Sequence, residues 1–292
     1  MSTLVSLPRS VLITKSDANA PRASSTASIS VIQYASSDSE SSKQVPISIS
    51  ETVSFPKHPA EMTYATFCDA DSVVTLDRET LRHWHIDRGS SEPNLSDGFV
   101  FGKVPNLRVG KPDPLSAGRF IAASGANVNV FDWRQASPSE SALQISSAHP
   151  APIQDLDINP NKPHHLVTAG SDGSIRFWDL RRPDAPILML LGHTHWVESV
   201  AYNHHHDQLV LSGSSDCTVR LWSAQSVSSA PSIGLDTSES PNRVIEIIKD
   251  HEDSVYQACW SASDAWVFAS LSYDGRVVVN NVNQTEKYKI LL

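Results

Sequence analysis

The chain has 292 residues, enough for one large domain or two ordinary ones, and its hydrophobic fraction of 40% is typical of a protein that buries a core. Its formal net charge of −9 argues against a surface built for nucleic acid or anionic membrane, because phosphate groups are bound by clustered Lys and Arg. The three cysteines are widely separated and include no CxxC pair, which favours free thiols in a reducing compartment over a disulfide framework or a zinc site.

Residues 1–50 differ from the rest of the chain in composition. They are rich in serine, carry basic residues such as Arg9 and Arg22, and contain no acidic residue before Asp17. This composition is similar to that of a transit peptide, whereas Pro8 and Arg9 interrupt the apolar run that a secretory signal needs. The other interpretation is a variable first repeat.

Short apolar runs between turn-forming residues predict strands in the region that follows. Two groups of three strands are expected, at 62–67, 72–76 and 81–86, and at 120–123, 127–133 and 143–146. The first group ends near Trp84, and residues 89–97 are predicted to form an inserted loop.

Three later segments align with one another as internal repeats. A histidine opens each repeat, and a turn aspartate precedes an aromatic position, or its equivalent, by six residues. The repeats run from His149 to Trp178, from Gly192 to Trp222 and from His251 to Asn280. Trp178 and Trp222 lie 44 residues apart, and Trp133 precedes Trp178 by 45. A period of about 40–45 residues with this frame is the WD40 signature.

The repeats predict an all-β protein, a WD40 β-propeller with about five complete blades and a partial N-terminal blade. A single four-stranded sheet cannot bury both of its faces, and radial stacking of such sheets covers them. Residues 1–50 would form the partial blade, and residues 224–243, rich in Ser and Pro, a second insertion. The complete blades would span approximately 51–107, 108–147, 148–191, 192–248 and 249–292.

Four residue types recur in the repeats and form candidate structural networks. A buried histidine can hydrogen-bond the turn aspartate, while a strand hydroxyl and a tryptophan indole N–H complete the chain. The sets are His149, Thr168, Asp172 and Trp178; His193, Ser212, Asp216 and Trp222; and His251, Ser270 and Asp274. In the third repeat Asn280 replaces tryptophan, so we expect that network to be incomplete.

A grouping of Ser, His and Asp also suggests a hydrolase triad. This grouping recurs once per repeat, however, and a catalytic site is not expected in several copies along one chain. We find no phosphate-binding loop, no metal-ligand set and no unrepeated nucleophile in the sequence. The chain is therefore predicted not to be an enzyme and to bind no cofactor or metal.

The loops that open the repeats hold candidate partner-binding residues. Trp196 follows His195 where propeller rims present side chains, and an exposed tryptophan is a typical interface hot spot. Packing between blades is the alternative for Trp196, and Asp253 is a further candidate. The histidine run 204–206 is similar to a metal cluster, but consecutive side chains cannot all reach one ion, so a solvated turn is favoured.

The second half of the chain closely resembles one family. The strings DLDINPNKP, HTHWVESVAYNHHHDQLVLSGSSD, HEDSVYQACWS and FASLSYDGRVVVNNV resemble the EARP- and GARP-complex-interacting proteins, also called the TSSC family. The match is dense from Ser147 to Leu292 and thinner from Thr52 to Gln135. The resemblance implies a cytoplasmic seven-bladed scaffold that binds tethering complexes at endosomes and the trans-Golgi network, in endosomal recycling and retrograde vesicle traffic.

The resemblance also gives the N-terminal residues an interpretation. Strands at 11–15 and 28–34 look like a hairpin from an early blade, with a Ser-rich loop between them. Relative to the family, a full blade and one strand are missing upstream, so we expect an N-terminally truncated form with an incomplete ring. Such a ring would leave unpaired edge strands.

One motif favours a different function. The string TAGSDGSIRFWDLR contains a WDxR box that resembles substrate receptors of cullin-4 ubiquitin ligases, in which Arg181 would contact the adaptor. Arginine suits an interface because its planar guanidinium forms bidentate hydrogen bonds. Many propellers carry this box without a ligase role, so this function is the alternative. Both functions imply protein partners, without nucleic acid and without membrane insertion, since no stretch approaches the roughly 20 apolar residues of a spanning helix.

Overall fold

The computed structural model describes residues 63–69, 72–87, 99–134, 141–229 and 240–291, together with the backbone of four further strands. The chain divides into two compact units. The first consists of Met1–Leu107 and Trp133–Glu140, and the second of Arg108–Asp132 and Ser141–Leu292. The predicted insertions at 89–97 and 224–243 lie partly outside the described residues.

The first unit contains two antiparallel sheets. Blade 1 is formed by β1 (Val11–Lys15), β2 (Ala27–Tyr34) and β3 (Ile47–Phe55) in that order. Blade 2 is formed by β4 (Tyr64–Phe67), β5 (Ser72–Leu76), β6 (Thr80–Asp87), β7 (Asn94–Leu95) and β8 (Phe99–Lys103). Both β7 and β8 pair with β6, because the inserted loop contains a short strand of its own. The sequence did not indicate β3 or β7.

The second unit contains four antiparallel sheets. Blade 3 consists of β9 (Leu107–Pro112), β10 (Arg119–Ser124), β11 (Asn127–Asp132) and β12 (Leu143–Ile145). Blade 4 consists of β13 (Ile153–Ile158), β14 (His165–Gly170), β15 (Ser174–Asp179) and β16 (Leu188–Leu191). Blade 5 consists of β17 (Val197–Tyr202), β18 (Leu209–Ser214), β19 (Val219–Ala224) and β20 (Asn242–Ile248). Blade 6 consists of β21 (Val255–Trp260), β22 (Val267–Ser272) and β23 (Val277–Asn281).

The all-β class predicted from the repeats is confirmed. Blades 4, 5 and 6 share a β-bulge: in each, the pairing of the first strand with the second shifts register by one residue near the start of the first strand. Such a bulge bends a strand and increases its twist. The second strands β14 and β18 are buried at every position, as expected for strands covered on both faces.

The hydrophobic core of the second unit lies between neighbouring blades. One cluster joins blades 4 and 5, and in it the rings of Phe177 and Tyr202 meet edge to face with centroids 6.0 Å apart. A second cluster joins blades 5 and 6 around Trp260 and Phe268, whose ring centroids are 5.5 Å apart. Aromatic pairs of this kind stabilise a core by about 1 kcal/mol beyond the burial of their surface.

Polar contacts tie the first strands of three blades together. The Asp157 carboxylate on β13 accepts hydrogen bonds from Lys111 Nζ on β9 at 2.9 Å and from the Tyr202 backbone N–H on β17 at 2.8 Å. Two residues earlier, Asp155 accepts a hydrogen bond from the Val200 N–H at 3.0 Å. Each carboxylate therefore extends hydrogen bonding from one sheet to a strand of the next.

A short helix follows blade 6 and was not predicted from the sequence. Helix α1 spans Gln284–Leu291, and the Asn283 side chain accepts a hydrogen bond from the Thr285 N–H, which caps its first turn. Arg243 of β20 forms an ion pair of 2.7 Å with Glu286 of the helix. A helix of eight residues is too short to be stable alone, so we attribute its presence to these contacts.

One aromatic residue was assigned to the wrong position of its repeat. The spacing of 45 residues paired Trp133 with Trp178. In the structure Phe131 lies opposite Phe120 of the neighbouring strand, as Trp178 lies opposite Leu166. Trp133 comes after the end of β11, and the equivalent residue of blade 3 is Phe131.

We expect Asp157→Ala to lower the free energy of unfolding by about 3 kcal/mol, because it leaves a lysine and a buried backbone N–H without their acceptor. Urea denaturation followed by tryptophan fluorescence measures the change. The matched control is Asp184→Ala in the exposed loop after β15, with an expected change below about 0.5 kcal/mol. Equal effects of the two substitutions would show that the contacts between blades contribute nothing.

Candidate functional site

The structure brings the recurring polar residues of blades 4 and 5 together. In blade 5, the Trp222 Nε1–H donates to Ser212 Oγ at 2.8 Å, and the same oxygen lies 2.7 Å from His193 Nε2. His193 Nδ1 lies 2.8 Å from the Asp216 carboxylate. The network thus connects the loop before β17, the strand β18, the turn after it and the strand β19.

The network of blade 4 has the same geometry. Trp178 donates to Thr168 Oγ1 at 3.0 Å, and this hydroxyl lies 2.7 Å from His149 Nε2. His149 Nδ1 lies 3.1 Å from Asp172. Gly170 lies directly beneath this network, and a Cβ at that position would collide with both His149 and Asp172. The glycine is therefore required by the close approach of its backbone to the histidine.

The electrostatics of the networks favour neutral histidine beside ionised aspartate. Burial lowers the pKa of His149 and of His193, and the neighbouring aspartates oppose this shift only in part. Burial acts against ionisation of Asp216, but hydrogen bonds from Thr218 and His193 outweigh it and lower the pKa of that carboxyl to about 2. Nδ1 therefore donates to the carboxylate, and Nε2 accepts the hydroxyl proton.

Blade 6 carries an incomplete network. His251 Nε2 lies 2.8 Å from Ser270 Oγ, and Nδ1 lies 3.2 Å from Asp274. Asn280 stands opposite Phe268, at the position equivalent to Trp178 and Trp222. Its buried Nδ2 has no hydrogen-bond partner among the described residues. The amide is too short to replace the indole as a donor to the serine hydroxyl.

Blade 2 contains part of the same network, which was not predicted from the sequence. Trp84 donates to Thr75 Oγ1 at 2.7 Å, as tryptophan does to the hydroxyl in blades 4 and 5. The turn between β5 and β6 is closed by Asp77, which accepts hydrogen bonds from the N–H groups of Glu79 and Thr80. The spacing of nine residues between Thr75 and Trp84, against ten in blades 4 and 5, is the signal that was available.

These networks are suited to holding loops and poorly suited to catalysis. The side chains of His149 and His193 are 0% exposed, so no substrate reaches them. Their serine and threonine hydroxyls are already engaged on both sides. Among the described residues, no group of three or more His, Cys, Asp or Glu could hold a metal ion, and the histidine run 204–206 forms a turn in which Asn203 caps two backbone N–H groups.

The loops that the histidines hold present an exposed surface, which we call the rim surface. It consists of His195, Trp196, Asp253, Tyr256 and Tyr273 at one end of the strands of blades 5 and 6. Trp196 is 48% exposed, so the structure supports its display at the rim and not its packing between blades. Its ring lies against His195 with centroids 5.1 Å apart.

The backbone of the rim surface is fixed. The Trp196 carbonyl accepts hydrogen bonds from the Ser215 N–H at 2.9 Å and from Ser214 Oγ at 2.8 Å. In blade 6, the Asp253 carbonyl accepts one from Ser272 Oγ at 2.9 Å. An anchor residue held in this way loses little conformational freedom when a partner binds.

The two tyrosines of the rim surface were not identified from the sequence. Tyr256 and Tyr273 pack with ring centroids 4.7 Å apart, and Tyr273 is 72% exposed. The equivalent positions of blade 5 hold Glu198 and Ser215, which form a hydrogen bond of 2.9 Å. These positions lie five residues after the histidine and one residue before the turn aspartate of each repeat. A comparison of the two repeats at these positions would have revealed that tyrosines replace the polar pair.

Arg181 lies at the opposite end of the strands and is not part of the rim surface. Its guanidinium binds Asp179, with Nη2 2.7 Å and Nε 2.9 Å from the carboxylate oxygens, and its side chain remains 62% exposed. The hydrogen bonds from Arg181 keep the pKa of Asp179 well below its usual range. The structure thus divides the four predicted partner-binding residues between two surfaces.

We expect Asn280→Leu to raise the free energy of unfolding by about 1 kcal/mol, because it removes a buried amide that has no partner. Thermal or urea denaturation measures this change. The matched control, Asn281→Leu, alters a neighbouring exposed position and should leave stability within about 0.5 kcal/mol. A loss of stability on Asn280→Leu would show that the amide is hydrogen-bonded in solution.

Comparison with known proteins agrees with this architecture. The propeller domain of Doa1 superimposes with a TM-score of 0.58 over 77% of this chain and 66% of that one, at 17% sequence identity. A WD domain, G-beta repeat model matches residues 242–280. The fold is a WD40 β-propeller, as the repeats predicted. No helix among the described residues is long and apolar enough to cross a membrane.

Sequence relatives define the family. The human EARP and GARP complex-interacting protein 1 is 46% identical over 243 residues, which cover 77% of this chain and 62% of that protein. The EARP-interacting protein 1 of Caenorhabditis elegans is 42% identical over 160 residues, covering 51% of this chain and 44% of that protein. The Arabidopsis thaliana WD repeat-containing protein DWA2 is 32% identical over 240 residues, covering 78% and 65%.

This chain spans about 62% of the length of the mammalian relatives that it matches. The EIPR1 beta-propeller family model matches residues 15–222, which is more than half of the chain. The chain belongs to the EIPR1 β-propeller family.

Proposed function

We propose that this protein is a scaffold that binds EARP- and GARP-type tethering complexes through the rim surface. It acts on the cytoplasmic side of endosomes and the trans-Golgi network, in endosomal recycling and retrograde vesicle traffic. The names of its human and nematode relatives support this choice of partners. The human protein is named as interacting with the EARP and GARP complexes, and the nematode protein as interacting with EARP.

The observation that carries the proposal is the exposure of Trp196 on a loop that the network of His193 fixes. A large aromatic side chain that is 48% exposed offers apolar area to a partner, and hot spots are enriched in tryptophan and tyrosine. Tyr256 and Tyr273 form a second aromatic pair at the same end of the next blade. In the loop before β21, Glu252 forms an exposed ion pair of 2.8 Å with Arg276, so this part of the rim carries both charges. The exposed aromatic side chains suit a partner segment with apolar residues.

Capture of tethering-complex subunits from cell lysate on the immobilised protein tests this proposal. Trp196→Ala should reduce the captured amount at least tenfold, because truncating a hot spot costs about 2 kcal/mol of binding free energy. The matched control is Tyr288→Ala, which removes an aromatic side chain that is 62% exposed on helix α1. Absence of the subunits from the wild-type capture would contradict the function, and equal capture by both variants would contradict the surface.

The alternative function, in a cullin-4 ubiquitin ligase, depends on Arg181 at the end of the strands opposite the rim surface. Arg181 is exposed and oriented by Asp179, as an anchor for an adaptor of a cullin-4 ligase would be. The same lysate separates the two functions, because Arg181→Glu would abolish capture of the cullin-4 adaptor and leave the tethering subunits bound. If the wild-type protein captures no adaptor, the alternative is excluded.

A further inference from the structure

A basic depression lies at the end of blade 4 opposite the rim surface. It has a volume of about 490 Å³ and is lined by Lys162, His165, Asp179, Arg181 and Arg182. Three of these side chains are cationic and one is anionic, in a chain whose formal net charge is −9. The depression therefore carries the opposite charge to the protein as a whole.

The geometry leaves donors available inside the depression. Arg181 uses Nε and Nη2 for Asp179, which leaves both N–H groups of Nη1 without a partner among the described residues. Lys162 Nζ donates to the backbone carbonyls of Val227 and Ser228 at 3.2 and 3.3 Å, so one of its three donors remains. These contacts hold both cations in place before a ligand arrives, which reduces the entropy lost on binding.

Arg182 and His165 are the other two groups that could contact a ligand in the depression. Arg182 is exposed, and its guanidinium has no ion pair with any described residue. His165 is buried, its Nδ1–H donates to the Pro163 carbonyl at 3.0 Å, and burial lowers its pKa. Two arginines and a lysine around one depression are the groups that bind a doubly charged oxyanion, since the guanidinium plane matches two phosphate oxygens at once.

The strand beside the depression indicates what carries the oxyanion. The loop that holds Arg181 and Arg182 leads directly into β16, the last strand in the order of blade 4. Ile187 just before β16, and Met189 and Leu191 on it, alternate as exposed apolar side chains, at 40%, 47% and 65% exposure. An exposed edge strand with an apolar row is a site for an added extended peptide strand.

We propose that the depression binds a phosphate monoester carried on an extended protein segment, whose apolar side chains lie along β16. The phosphate is held by Lys162, Arg181 and Arg182, and the segment pairs with the edge of the sheet. This site is independent of the rim surface and of the tethering partners. It would make one interaction of the scaffold dependent on phosphorylation, because a phosphate adds about 1.5 to 2 negative charges where serine has none.

The probe is a synthetic library of nine-residue peptides with a fixed central phosphoserine and degenerate flanking positions, with the same library carrying serine as its comparison. The immobilised protein should retain the phosphorylated library at least tenfold more strongly. The retained peptides should be enriched in apolar residues at alternate positions on one side of the phosphoserine. Equal retention of the two libraries would overturn the proposal.

Two variants and one further probe separate the parts of the site. Arg182→Glu should weaken retention at least tenfold, whereas Lys249→Glu, the same charge change at another exposed position, should not. Met189→Asp should remove the apolar enrichment but leave competition by inorganic phosphate unchanged. Retention that Arg182→Glu does not alter would overturn the site. Inorganic phosphate that competes as well, mole for mole, as the retained peptides would overturn the role of the protein segment.

Discussion

A chain of hydrogen bonds from tryptophan to hydroxyl to histidine to aspartate is the interaction on which blades 4 and 5 depend. In blade 5 its three links measure 2.8, 2.7 and 2.8 Å, and the indole, the hydroxyl and the imidazole are buried. A buried polar group without a partner costs about 1–3 kcal/mol, so the network stabilises only the arrangement in which all its members meet. It thereby selects one position for the loops that enter blades 4 and 5.

The consequences of this constraint reach the surface. Because His193 anchors the loop before β17, the carbonyl of Trp196 can meet the hydroxyl of Ser214, and the indole is presented in one place. The contacts between blades add to this rigidity, since Asp157 binds groups from both neighbouring sheets. A rigid scaffold with exposed anchors is well suited to binding proteins, and its buried histidines are inaccessible to substrates.

Much of the second unit followed from periodicity. In blade 4, the short apolar runs between turn-forming residues predict strands at 153–158, 166–169, 174–178 and 187–191. The first matches β13, β14 is longer by one residue at each end, and β15 and β16 each differ by one residue at one end. The strong repeats made this possible, because each turn aspartate marks a fixed position. Blade 3 lacks that marker, so the nearest tryptophan, Trp133, was mistaken for the equivalent of Phe131. Helix α1 depends on its contact with Arg243, which no local pattern encodes.

The surfaces were harder to predict than the networks. Sequence alone could not decide whether Trp196 is buried or exposed, since a tryptophan before a strand fits both situations, and its 48% exposure depends on the neighbouring blades. The basic depression depends on residues that are distant in the chain, such as Lys162 and Asp179, which the pairing of β14 with β15 brings together.

Titration of the imidazole nitrogens by NMR tests the buried network most directly. In the folded protein, His149 and His193 should both be the neutral tautomer protonated at Nδ1, and they should take up a proton only below pH 6.5. Because burial lowers both pKa values in the folded protein, the unfolded chain binds protons at a higher pH than the folded protein does. Acidification below about pH 6.5 should therefore reduce the free energy of unfolding. Protonation of either histidine near pH 6.5 in the folded state, or a tautomer protonated at Nε2, would contradict the account.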